Sequence, residues 1–132
     1  MPYIRLFVPE VSVDKKREIA KDVTDSVLGA LKMPEESKDW TTIQFVTYKP
    51  EDLAVGGKLI ADGSAQEFYV DYIDLDISQG LKEDLARAVT ASVGRAFELQ
   101  PSQYGRVNFR FQVVTPDEIA MGGHFVSKLI TQ

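Results

Sequence analysis

The chain contains no cysteine, one histidine and one tryptophan. Without cysteine there are no disulfides, no thiolate metal sites and no cysteine nucleophile, and the redox compartment stays open. His124 alone does not assemble a metal site without convergent carboxylates, so no metal is expected. A lone histidine in a turn is ordinarily a solvated polar residue. Positive charge is also scarce: 15 Lys and Arg stand against 20 Asp and Glu, for a net charge of −5. That balance gives no general attraction for phosphate backbones or anionic lipid, so nucleic acid is not an expected partner. No run approaches the roughly 18 apolar residues of a membrane span, and no basic and apolar leader is visible. A cytoplasmic protein with no membrane partner is expected. Gly56-Gly57-Lys58 lacks the spacing and the Ser or Thr of a phosphate loop, which sets nucleotide binding aside.

What is present is an ordinary globular composition: 132 residues, 44% apolar and 27% charged. A chain of this length makes one domain that buries roughly 70% of its unfolded surface.

Self-comparison is the informative step. Ala54-Val55-Gly56-Gly57-Lys58-Leu59-Ile60 recurs as Ala120-Met121-Gly122-Gly123-His124-Phe125-Val126, an offset of 66 residues. The same offset pairs Pro50-Glu51-Asp52 with Pro116-Asp117-Glu118, Phe45 with Phe111, Val23-Thr24 with Val89-Thr90, and Ser26-Val27 with Ser92-Val93. An ungapped offset through so much of the chain implies two copies of one unit, 2–62 and 68–132, joined by a polar linker at 63–67.

Each copy reads as β-α-β. Pro2 to Val8 is apolar and β-favouring. Ser12 is a candidate N-cap, and Ile19, Ala20, Val23, Val27, Ala30 and Leu31 fall at helical spacings as far as about Lys32. Thr41 to Tyr48 alternates as a strand. In the second copy Phe68 to Ile77 is the strand, and Leu81, Leu85, Val89, Val93 and Phe97 form the helical stripe. On the last long strand Val107, Phe109, Phe111 and Val113 face the helices, leaving Arg106, Asn108, Arg110 and Gln112 opposite. A helical crossover makes the two strands of each copy parallel. Two helices cover only one face of the four-stranded sheet, and the other requires a partner, most simply further copies of the chain. Asp71, Asp74 and Asp76 have mixed parity and are expected as solvated or strand-end charges.

Pro2 is the first chemical candidate. If the initiator methionine is removed, its ring nitrogen becomes a secondary amine. A free α-amine titrates near 7.7–8.0, and burial or a nearby cation lowers that value. Such a group suits general-base work at neutral pH.

The proline after Met1, the β-α-β length and the duplicated Gly-Gly segments together resemble the tautomerase superfamily, most closely 4-oxalocrotonate tautomerase in a fused, tandem form. The resemblance spans nearly the whole chain. It implies an α/β fold of two tandem β-α-β units, like that of macrophage migration inhibitory factor. It further implies a homotrimer, no metal and no organic cofactor, and Pro2 as catalytic base in a pocket between chains. The implied substrate is a small enolic or unsaturated carboxylic acid. Family arginines fall on Ser12 and Ser78 before the helices and on Thr42 and Asn108 after them, so the usual carboxylate clamp is missing. Arg106 and Arg110, which flank Asn108, are the substitutes, with Arg5 next. The family's aromatic residue before the Gly-Gly segment is matched by Leu53 and Ile119. Substrate-binding candidates are therefore Arg106, Arg110, Asn108 and Leu53. Hydration or dehalogenation of an unsaturated acid, and a non-catalytic trimeric binding scaffold, remain as alternatives.

Overall fold

The computed structural model describes residues 1–129. Strands β1 (Tyr3–Pro9), β2 (Thr42–Tyr48), β5 (Phe68–Asp74) and β6 (Val107–Val113) form one sheet in the order β2-β1-β5-β6. Helices α1 (Val13–Ala30) and α2 (Gln79–Ala96) cross over between β1 and β2 and between β5 and β6. Both crossover pairs are parallel, as expected from the crossover lengths. The central pair, β1 with β5, is antiparallel, with Tyr3 opposite Ile73 and Phe7 opposite Tyr69. The sheet is thus mixed rather than mainly parallel, because the two β-α-β units meet through antiparallel strands.

Alternation along the strands sends Ile4, Leu6, Val8, Phe68, Val70 and Tyr72 under the helices. Ile19, Val23 and Val27 of α1 and Leu85, Val89 and Val93 of α2 close over them as one core. Each such side chain contributes about 1.5–3 kcal/mol by leaving water. Phe109 and Phe111 pack against this core as their parity requires, but Val113, 42% exposed, lies beyond its edge.

Both helices start on a serine. Ser12 Oγ accepts from Lys15 N at 3.1 Å and Ser78 Oγ from Leu81 N at 3.2 Å, each satisfying one orphan donor of the first turn. The helices end alike, with Lys32 and Glu98 both at φ 55°. β5 stops at Asp74, three residues before the strand end expected from the sequence.

After each second strand comes a small hairpin, β3 (Ala54–Val55) with β4 (Lys58–Leu59) and β7 (Ala120–Met121) with β8 (His124–Phe125). Gly56-Gly57 and Gly122-Gly123 form the turns with φ between 58° and 83°, the doubly positive pattern that favours glycine in two-residue hairpin loops. A short helix α3 (Val126–Leu129) follows. The end of the second repeat, 130–132, lies outside the described residues. Among the described residues no helix is long and apolar enough to cross a membrane.

Candidate active site

The antiparallel contact between β1 and β5 decides where everything else falls. It sets Pro2 and Phe68, equivalent positions in the two units, at opposite ends of the sheet. At the Pro2 end also lie the C-terminal ends of β5 and β6 and the hairpin of the second unit. At the Phe68 end lie Pro9, Tyr48 and the N-terminal end of β6.

A cavity of about 500 Å³ opens at the Pro2 end. It is lined by Met1, Pro2, Tyr3 and Arg5 of the first strand region, Trp40 and Thr42, Ile73 of β5, and Val114, Glu118, Ile119 and Ala120 of the second unit. Pro2 itself is almost wholly buried, and its carbonyl accepts from Thr42 N at 3.0 Å, which pins the start of β1 to β2. Trp40, 60% exposed, stands on the rim.

Arg5 is the guanidinium that lines this cavity. Its Nε donates to Gln44 Oε1 at 3.2 Å, an oxygen that also accepts from the Tyr3 hydroxyl, and its guanidinium lies 5.6 Å from the centre of the Tyr3 ring. Among the described residues Arg5 forms no ion pair; Asp71, which faces it across the β1–β5 ladder, is engaged by Arg110. Glu118 is the cavity's carboxylate. The backbone N–H and then the hydroxyl of Thr115 donate to it and hold its carboxyl below the usual range.

Behind the proline lies an ion pair. The α-ammonium of Met1 donates to Asp74 Oδ2 at 3.0 Å, and the Tyr72 hydroxyl donates to the same oxygen at 3.4 Å. Asp74 is only 8% exposed, so it is a strand-end charge but not a solvated one. Burial, and then the Asp74 charge, push the Tyr72 phenol well above its usual value.

The other candidates from the sequence lie elsewhere in the same chain. Arg110 sits at mid-sheet, where its Nε donates to Asp71 Oδ1 at 2.8 Å and its charge is already matched. Arg106 and Asn108 are at the Phe68 end; Asn108 Nδ2 reaches Glu67 Oε2 at 3.2 Å, the Arg106 carbonyl at 3.2 Å and the Phe68 carbonyl at 3.4 Å. Leu53, whose carbonyl accepts from Ile60 N, belongs to the first unit's hairpin, whereas its counterpart Ile119 lines the Pro2 cavity. One chain therefore joins Pro2 with Arg5 and Ile119, not with Arg106, Arg110, Asn108 or Leu53. The repeat had signalled Ile119, but the choice between the two hairpins needed the strand order. Asp74 carried no sequence signal beyond its place at the end of an alternating strand. His124 lies in β8, and among the described residues no cluster of three or more His, Asp or Glu is placed to hold a metal.

No protein-family model matches the sequence, and no curated protein matches it either. Solved structures do. The native fused 4-OT superposes with a TM-score of 0.85 over 96% of this chain and 98% of its own, at 14% identity. The chain has the fused 4-OT fold. A second protein of that fold, the R7 fused 4-OT, an asymmetric trimer, gives 0.82 at 13% identity over 96% of this chain and 98% of its own. Pt0534, in a form inactivated by 2-oxo-3-pentynoate, gives 0.81 at 12% identity over 98% and 99%. Identities this low extend the likeness to the fold alone, and within it the expected α/β arrangement of two β-α-β units, with both long helices on one face, is present.

Proposed function

We propose that the protein is a cofactor-independent tautomerase acting on a small enolic or unsaturated carboxylic acid, with Pro2 as general base once Met1 is removed. The observation that carries this reading is the placement of Pro2 at the wall of a 500 Å³ cavity together with Arg5, which forms no ion pair among the described residues. The ring nitrogen takes a proton from an enol hydroxyl or from carbon beside a carbonyl and returns it elsewhere on the conjugated system. A positioned base of this kind is worth about 10²–10⁴ in rate. Arg5 holds the substrate carboxylate through paired hydrogen bonds and stabilises the enolate charge. Ile119 and Trp40 supply the apolar wall for the conjugated chain.

The open sheet face carries Tyr3, Arg5, Phe7, Tyr69 and Ile73, and we propose that a homotrimer covers it; the R7 fused 4-OT, of the same fold, is a trimer. In such an assembly Arg106, Arg110, Asn108 and Leu53 contribute only through a neighbouring chain. The scaffold alternative predicts an inert amine, so covalent labelling separates the two. A chain verified by mass to begin at Pro2 is incubated with 2-oxo-3-pentynoate, the inactivator of Pt0534. A reactive amine adds across the triple bond and retains every atom of the reagent, so the N-terminal peptide gains the reagent's full mass and activity is lost. An unlabelled N-terminal peptide contradicts the reading.

A further inference from the structure

Continuing the β1–β5 register one step beyond Tyr3 and Ile73 sets Pro2 directly opposite Asp74. Both share the parity of Ile4 and Tyr72, so both side chains lie on the helix-covered side, where opposed Cβ atoms of an antiparallel pair are about 4.5–5.5 Å apart. Asp74 already holds the chain's terminal ammonium, that of Met1, at 3.0 Å. The carboxylate is fixed there by the Tyr72 hydroxyl, and the Asp74 carbonyl accepts from Val114 N at 3.0 Å. We propose that Asp74 is the positioning residue of the Pro2 amine: after Met1 is lost, its carboxylate accepts the N–H of the proline ring. This inference rests on the reading of Pro2 as a free terminal amine.

The consequence is geometric first. A neutral secondary amine has one N–H and one lone pair. With the N–H held by Asp74 on the inner side, the lone pair is directed away from the carboxylate, towards the cavity that Pro2 lines. The second consequence is electrostatic. A carboxylate at this distance favours the ammonium and moves an amine's titration upwards, typically by one to three pKa units. Arg5 and burial act in the opposite sense. Other ionisable groups around this end are Tyr3 on β1, Tyr72 on β5, Glu118 on the cavity wall with Asp117 beside it, and Asp76 with its partner Lys82 beyond the end of β5. Among the described residues the terminal amine's ion pair is with Asp74, not with these carboxylates.

The test titrates the amine itself. In chains verified by mass to start at Pro2 and carrying isotope-labelled proline, the midpoint of the Pro2 nitrogen resonance should fall by about one pKa unit or more in Asp74→Asn, a tenfold or greater loss of proton affinity, and return in Asp74→Glu. The acid limb of kcat/KM should move the same way, which a merely structural role would not produce. In the wild type the Asp74 carboxyl carbon should report a transition at the amine's midpoint, a measurement that needs no variant to fold. An unmoved amine midpoint in folded Asp74→Asn, or an Asp74 carbon blind to the amine, overturns the proposal. An inert wild type whose midpoint still falls in Asp74→Asn keeps it and removes the tautomerase reading; an active enzyme with an unmoved midpoint does the reverse.

Discussion

The hydroxyl oxygens of Ser26 and Ser92, residues 66 apart in the sequence, lie 2.6 Å from each other where α1 crosses α2. Arg5 and Asp71, again 66 apart, stand opposite each other in the β1–β5 ladder. A position that meets its own repeat equivalent lies on a two-fold axis, so these pairs mark a local axis running through both the helix layer and the sheet. The axis explains why Pro2 and Phe68 are at opposite ends, and why each unit's hairpin serves the other unit's end of the sheet.

The serine pair is buried on one side and satisfied throughout. Ser92 Oγ also accepts from Arg95 Nη2 at 3.1 Å, while Arg95 makes a two-pronged contact with Asp22. Ser92→Ala leaves Ser26 without its partner and should cost about 1–2 kcal/mol in denaturant unfolding. Ser26→Ala/Ser92→Ala should cost less than the two single changes together, since no hydroxyl is then stranded.

Symmetry is broken at Gly94, which occupies the place of Leu28. A Cβ there would come within 2.6 Å of Tyr104 Cε1, whereas nothing lies within 4 Å of one added at Gly29. Both glycines are helical, where alanine is intrinsically better by about 1 kcal/mol. Gly29→Ala should therefore raise the unfolding midpoint. Gly94→Ala should lower it, because overpacking against a ring costs about 1–3 kcal/mol. Two changes of equal sign would contradict the packing described for Tyr104.

Tyr48 and Tyr72 both titrate above the ordinary tyrosine value, in each case chiefly through burial. Their folded state holds the neutral phenol more tightly than the unfolded chain does. The stability this confers is complete below pH of about 10 and is lost as pH rises beyond it. Unfolding measured across that range should show the loss, and Tyr72→Phe should reduce its steepness. An unchanged pH dependence in Tyr72→Phe would reject the assignment.

Much of this architecture was legible before any coordinates. The 66-residue offset anticipated both helices, whose bounds in the structure differ by that same interval, and the paired glycine turns. Alternation gave the buried face of the last long strand, where Phe109 and Phe111 pack against the core. The antiparallel union of the units was not legible, because pairing between β1 and β5 is a contact without a periodic signature. The site suffered for that reason. Parity placed Asn108 and Arg110 on one face, but Arg106 lies in the turn before β6, and the reversed direction of β5 and β6 carries it away from Pro2. The serines that stand where arginines were sought have their own task, as caps of α1 and α2.

Arginine scanning distinguishes the two ends. Arg5→Ala should lower kcat/KM for an acidic enol roughly 10-fold or more, as the loss of a charged hydrogen bond of about 1.5–3 kcal/mol requires. Arg106→Ala and Arg110→Ala should act only if a neighbouring chain completes the site, and sedimentation at the assay concentration should then report trimers. A full effect of Arg106→Ala in a monodisperse monomer would contradict the geometry.

The most direct test of the central claim concerns Pro2. Mass spectrometry first establishes that the purified chain begins at Pro2. The rates of ketonisation of phenylenolpyruvate or a simple 2-hydroxydienoate are then compared between wild type and a correctly processed Pro2→Ala of equal assembly state. Alanine leaves a primary amine, less basic and more mobile, so kcat/KM should fall well below wild type and its pH profile should shift, because kcat/KM reports the free enzyme's base. Equal rates with the same pH dependence, or a wild-type chain that keeps Met1 and is active, would show that the Pro2 nitrogen is not the base.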